Sequence, residues 1–218
     1  MPVNQENYTR IIKELGSTCI LVAVSKTKPI EDILELYEAG QRDFGENYVQ
    51  ELVDKHVALP ADLKWHFIGH LQSNKVKYIA SFVHLIHGVD SIKLLLEINK
   101  QAIKFNRTID VLLQVHIAQE ETKFGFNEEE LNDVFSLQSF SNLRLRGLMG
   151  MASFTDDQDK IRNEFKNLHS LYDQFSKSNS NFDILSMGMS SDYQMAIEEG
   201  STMVRIGSLL FGERNKAN

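Results

Sequence analysis

The chain has 218 residues, 42% of them hydrophobic and 24% charged, a globular balance at a length that suits one large domain or a closed α/β barrel. Lys and Arg together number 23 against 30 Asp and Glu, a net charge of −7, and with no lysine or arginine block to offset it, nucleic acid and anionic membrane are not expected partners. Cys19 is the single cysteine, which excludes an intramolecular disulfide and a thiolate metal cluster and reads as a buried, inert thiol.

The N-terminal stretch "MPVNQENYTR" lacks the apolar core of a signal peptide, and no apolar run approaches a membrane span, so a cytoplasmic protein is expected. Eight short apolar runs then follow in order: 19–25, 42–46, 65–69, 83–89, 109–117, 143–150, 182–188 and 203–207. Several are apolar on both faces, the mark of parallel strands covered by helices. Between them lie segments with apolar spacing of three and four, such as Ile33, Leu36 and Tyr37, or Ile92, Leu95, Leu96 and Ile103, which predict helices. Pro29 fits the first turn of the helix after the first strand, and Gly40 fits its end. With no low-complexity linker and only three prolines, residues 1–218 read as a single domain. The pattern predicts a (β/α)8 TIM barrel preceded by one extra N-terminal helix. An open doubly wound sheet is the alternative, although no Gly-x-Gly-x-x-Gly turn follows the first strand.

In a barrel, function belongs at the C-terminal ends of the strands. Lys26 ends the first run, "LVAVSKTKPI", and alternation puts it on the same face as Val22 and Val24, directed to the barrel interior. Position alone favours an exposed strand-end lysine. The far end of the chain changes that balance. There, "LSMGMSSDYQMAIEEGSTMVRIGSLLFGER" sets Ser190, Ser191 and Asp192 at a helix start and Gly207 and Ser208 at the exit of the last strand. Hydroxyls and backbone N–H groups at these two loops form an anion site where this barrel usually binds phosphate. An interior lysine facing a phosphate cradle suggests a phosphorylated aldehyde held as a Schiff base.

The motifs "VSKTKP", "FGENYVQE", "WHFIGHLQSNK" and "LSMGMSSDYQMAIEEGSTMVRIGSLLFG" resemble the pyridoxal 5′-phosphate homeostasis protein family over nearly the whole chain. That family is similar to the N-terminal barrel of alanine racemase, a fold-type III pyridoxal-phosphate enzyme. The resemblance implies that Lys26 carries pyridoxal 5′-phosphate as an internal aldimine. It implies that Ser190, Gly207 and Ser208, with Ser191, hold the phosphate. Arg205 in "VRIG" matches the racemase arginine that faces the pyridine nitrogen. An arginine keeps its proton and donates to that nitrogen, making the ring a weaker electron sink. Asn47, at the exit of the second strand, either hydrogen-bonds the cofactor or caps the next helix.

Other features depart from the racemase. Where it reads "GLMTH", this chain reads "GLMGM", with Gly150 and Met151; where it has an arginine near the phenolic oxygen, "TKFGF" offers Lys123. The sequence ends at Asn218, before the second domain that brings the racemase its tyrosine base, and this favours a monomer. Five methionines, Met149, Met151, Met187, Met189 and Met195, fall in segments expected to meet at the barrel mouth. His66 and His70 do not share a face, so no metal site is expected, and "NEEE" at 127–130 reads as the acidic first turn of a helix. The reading is therefore a pyridoxal-phosphate barrel for storage, buffering or delivery, with no catalytic side chain assigned. Its expected partners are the cofactor, apo-enzymes that accept it, and free amino acids. Two rivals are an amino-acid racemase or decarboxylase using the same aldimine, and a sugar-metabolism barrel in which Lys26 acts as a class I aldolase-type lysine.

Overall fold

The computed structural model describes residues 3–118, 125–137 and 140–213. Eight parallel strands close on one another in sequence order. In chain order the elements are α1 (Gln5–Leu15), β1 (Ile20–Val24), α2 (Ile30–Glu38), β2 (Asp43–Glu46), α3 (Val49–Ala58), β3 (Lys64–Phe67), α4 (Val76–Ile79), β4 (Leu85–Val89), α5 (Ile92–Lys104), β5 (Ile109–Gln114), α6 (Glu128–Ser136), β6 (Leu143–Met149), α7 (Gln158–Ser176), β7 (Ile184–Ser186), α8 (Tyr193–Glu198), β8 (Met203–Ile206) and α9 (Ser208–Phe211). All eight expected strands form, and closure between β8 and β1 across four register pairs, Ile20↔Met203 to Ala23↔Ile206, removes the open-sheet alternative.

The helix signals act as the sequence suggests. Asn4 caps α1 by accepting from Asn7 N. Pro29 sits immediately before α2, and Gly40, at φ 103°, leaves that helix in a conformation a side chain would resist. Asn127 opens α6 with a reciprocal capping box to Glu130, so the acidic run there serves the helix start. No helix among the described residues is long and apolar enough to cross a membrane.

The core has two parts. A large cluster between sheet and helices holds Phe44, Trp65, Phe67, Phe165 and Phe211. A small one fills the barrel interior with Val22, Leu85, Leu112, Met149, Ile184 and Met203, one residue each from six strands. That apolar layer shares the interior with His66, His87, Ser186 and Arg205, all buried. Such polar groups need partners, and they find them in one another.

Candidate functional site

At the C-terminal ends of the strands lies a cavity of about 490 Å³, a size that suits a small ligand. Its lining takes Lys26 from the exit of β1, Asn47 from that of β2, Ser190 and Ser191 from the loop after β7, and Arg205, Gly207 and Ser208 from β8 and its exit. All seven residues anticipated from the sequence thus converge on one space. Val24 lines it too, while Val22 lies in the interior layer. The alternation that directed Lys26 inward therefore holds.

The loop carrying Lys26 is tied on both sides. Lys55 donates from Nζ to Ser25 O at 2.8 Å, to Glu46 Oε1 at 2.8 Å and to Glu51 Oε1 at 2.6 Å. Ser25 Oγ donates to the same Glu46 oxygen at 2.6 Å, and Glu51 Oε1 accepts from Thr27 N at 2.6 Å. Thr27 has φ 63°, a left-handed conformation that costs a β-branched residue about 1–3 kcal/mol. The Glu51 acceptor offsets part of that cost. Burial raises the Glu46 pKa, and Lys55 and Ser25 pull it back without reversing the shift. Lys28 does not simply lead away to the helix: it lines the cavity and donates from Nζ to Phe211 O at 2.6 Å.

Two loops meet where the sequence suggests a phosphate cradle. Gly207 N donates to Ser190 Oγ at 3.2 Å, joining the exit of β8 to that of β7. No side chain caps α8. Asp192 occupies the cap position without capping the helix, and its Oδ1 accepts from Met189 N instead. Gly207 has φ −120°, so its value is room rather than conformation. A Cβ there would stand 3.2 Å from Val24 O.

Of the two readings of Asn47, the helix cap does not form. The cap of α3 is Tyr48, with no side-chain cap bond. The Asn47 Oδ1 is buried without a hydrogen-bond partner. A buried acceptor left unpaired beside a cavity fits a ligand that donates to it.

Arg205 is fully buried, and burial lowers its pKa to about 10, so it remains charged at neutral pH. Nη1 donates to Ser186 O at 3.0 Å and Ser186 Oγ at 2.6 Å, and Nη2 to Gly150 O at 3.0 Å. Below it a chain continues from Ser186 Oγ to His87 Nδ1 at 3.3 Å, from His87 Nε2 to His66 Nδ1 at 2.9 Å, and from His66 Nε2 to Asp43 Oδ1 at 3.0 Å. Arginine can only donate and an ionised carboxylate can only accept. The Asp43 end therefore fixes one hydrogen, on His66 Nε2, while the Ser186 hydroxyl can both accept from Arg205 and either donate to or accept from His87. Burial holds His87 well below the usual histidine range.

The methionine expectation holds in part. Met151 and Met189 line the cavity and Met149 sits in the layer beneath. Met187 and Met195 instead face the core between sheet and helices, because Met187 has the opposite strand parity to Ser186. His70 turns to Asp90 at 3.0 Å, away from His66. Lys123 lies outside the described residues. Sequence reasoning missed Phe154 and Ile68, both in the lining, and Phe154 is 98% exposed. It also missed the Lys55 network. Cys19 is buried, with a thiol pushed up to about 11 by that burial, as its inert reading requires.

The model of the alanine racemase N-terminal domain matches residues 4–215. The pyridoxal phosphate homeostasis protein of Aquifex aeolicus is 45% identical over 203 residues, covering 91% of this chain and 89% of that protein. The structure of PipY from Synechococcus elongatus with pyridoxal phosphate bound is 34% identical, with a TM-score of 0.85 over 95% of this chain and 99% of that one. An alanine racemase of Clostridium difficile shares the fold at a TM-score of 0.79 and 15% identity, with 57% of its length matched.

Proposed function

We propose a function on one premise: the chain belongs to the family of pyridoxal phosphate homeostasis proteins, built on the alanine racemase N-terminal domain. It binds pyridoxal 5′-phosphate covalently and serves in the homeostasis of that cofactor. The observation that carries this reading is the meeting of the Lys26 amine and the Ser190–Gly207 cradle in one cavity. Bound there, the cofactor supplies an aldehyde that condenses with a primary amine. Lys26 is the amine, on a loop that Lys55 and Glu51 hold in place. The phosphate goes to Ser190, Ser191, Gly207 and Ser208, where hydroxyls and the first N–H groups of α9 can donate. The unpaired Asn47 oxygen and the Arg205 guanidinium are left for the ring. Arg205 donates to the pyridine nitrogen, which keeps that nitrogen unprotonated.

Storage, buffering or delivery is favoured over racemisation or decarboxylation by what lines the cavity. Racemisation needs one group to take a proton and another to return it from the opposite face. Among the described lining residues the titratable side chains are Lys26, Lys28 and Arg205, with no histidine, tyrosine or carboxylate. Lys28 is bound to the Phe211 carbonyl, and Met151 cannot carry a proton. We place the protein in the cytoplasm as a monomer, with apo-enzymes as acceptors of the cofactor and free amino acids as a second partner class.

The test is the visible spectrum of the purified protein with pyridoxal phosphate, followed by borohydride reduction and peptide mapping. Absorbance near the violet edge and a single reduced adduct at Lys26 are expected, both lost in Lys26→Ala with the fold intact. An adduct that persists in that variant would move the attachment to another lysine, Lys28 first. An unchanged spectrum in the parent protein would return the site to the aldolase-type alternative.

A further inference from the structure

The opposite mouth of the barrel, at the N-terminal ends of the strands, carries a second grouping of side chains. Asp43 opens β2, His66 follows Lys64 and Trp65 in β3, and His84 immediately precedes β4. These strands are neighbours, with Asp43 paired to Lys64 and His66 to Leu85. One ligand atom from each of the three side chains lies within 4.8 Å of the others. We propose that Asp43, His66 and His84 form a binding site for a divalent first-row transition metal ion, distinct from the cavity that holds the cofactor.

Two imidazoles and a carboxylate suit zinc, cobalt, nickel or iron better than calcium or magnesium, which prefer oxygen alone. The spacing is already close to that of a coordination shell. His66 Nε2 and Asp43 Oδ1 are 3.0 Å apart, and two ligands at about 2.1 Å from one metal stand about 3.0–3.4 Å apart. His66 is held from behind by His87, whose ring nitrogen is 2.9 Å from its Nδ1, and such support is what orients metal-binding imidazoles. His84 is exposed, so an ion can enter from solvent and complete its shell with water. Lys64 is the competing cation, with Nζ 3.8 Å from Asp43 Oδ2, but its side chain is 51% exposed and can swing aside.

The metal takes the position of the hydrogen that His66 Nε2 now directs at Asp43. A neutral imidazole bound through Nε2 carries its hydrogen on Nδ1. His66 then donates to His87 Nε2, and His87 carries its own hydrogen on Nδ1, toward Ser186. The Ser186 hydroxyl accepts from both Arg205 and His87 and turns its own hydrogen away from the ring.

The experiment titrates tag-free, chelator-treated full-length protein with Zn²⁺ by calorimetry, and with Co²⁺ by visible absorption. A single saturable equivalent is expected, with ligand-field bands of a nitrogen and oxygen shell, and a rise in melting temperature on Zn²⁺ addition. His84→Asn removes an exposed ligand without disturbing the interior, and it should weaken binding by at least about tenfold, as should Asp43→Asn. His70→Asn, remote from the three, should bind as the parent does. No saturable binding at millimolar metal, or parent-like affinity in both His84→Asn and Asp43→Asn, would overturn the proposal.

Discussion

A single unpaired oxygen separates a ligand contact from a structural one. Leaving a buried acceptor unsatisfied costs about 1–3 kcal/mol, and Asn47 Oδ1 is in that state in the protein alone. If the cofactor donates to it, the cost is recovered only on binding. Asn47→Leu, close in shape and without the polar oxygen, should therefore leave the unliganded protein as stable as before or slightly more so. Its affinity for pyridoxal phosphate should fall about tenfold, the equivalent of a lost hydrogen bond. Urea denaturation and a binding titration on the same variant separate the two effects. Lower stability with unchanged affinity would make Asn47 a structural residue. The two readings of Asn47 could not be separated in the sequence, because they differ by one position in where α3 begins. Lys26 was legible from strand parity taken together with the serine and glycine loops at the far end of the chain, and Arg205 through the resemblance to the racemase. Phe154 and Ile68 had no such signal, being set by how two loops fold over the mouth.

The elements around β1 depend on a charge placed where water cannot reach it. Lys55 and Glu46 are 7% and 0% exposed at their side chains and 2.8 Å apart. In sequence, Glu51 and Lys55 read as an ordinary i, i+4 pair on a helix face. Only the return of the β1–α2 loop across α3 buries them, and no local pattern encodes that return. The strands, by contrast, were legible from their apolar runs, several of them, such as β4 and β5, being covered on both faces. Lys55→Met keeps the length of the side chain but leaves Glu46 without its cation. A broken buried pair typically costs about 3–5 kcal/mol. The lower end is expected here, because the raised pKa of Glu46 lets it take up a proton once Lys55 is gone. The urea midpoint should fall accordingly, and Glu46→Gln in the same background should recover part of the loss. The Ser25 and Thr27 anchors also loosen in Lys55→Met, so adduct formation at Lys26 should slow. A variant as stable as the parent would show that the pair contributes nothing to holding the loop.

At the scale of the whole molecule, the barrel has an uneven seam. β5 and β6 share six register pairs, whereas β7 and β8 share one, Ser186↔Met203. The shortfall is made up by side chains. Ser201 Oγ lies within hydrogen-bond reach of the carbonyls of Leu185, Met187 and Met203, shortest to Met187 at 2.8 Å, for its single hydrogen, and Thr202 Oγ1 accepts from Leu185 N. Arg205 adds a clamp from β8 to Ser186 and Gly150. The cofactor would span this seam, since its proposed contacts come from the exits of β1, β2, β7 and β8. A ligand bound only by the closed barrel stabilises it by mass action, about 2.7 kcal/mol at a hundredfold excess over Kd. For a domain of this size that corresponds to a rise of about 5–10 °C in melting temperature. The gain should not be uniform. Strands β4 and β5, wholly buried, should already exchange their amides only through global unfolding, so local openings there have little left to suppress. β7, β8 and the end of β1 should open locally, and bridging them should close that route. Hydrogen exchange with and without pyridoxal phosphate is expected to show added protection at residues 184–186 and 203–206 beyond the shift common to the whole barrel. An unchanged melting temperature at saturating cofactor, or added protection confined to β3, β4 and β5, would place the ligand away from the seam and dismantle the cradle at Ser190 and Gly207.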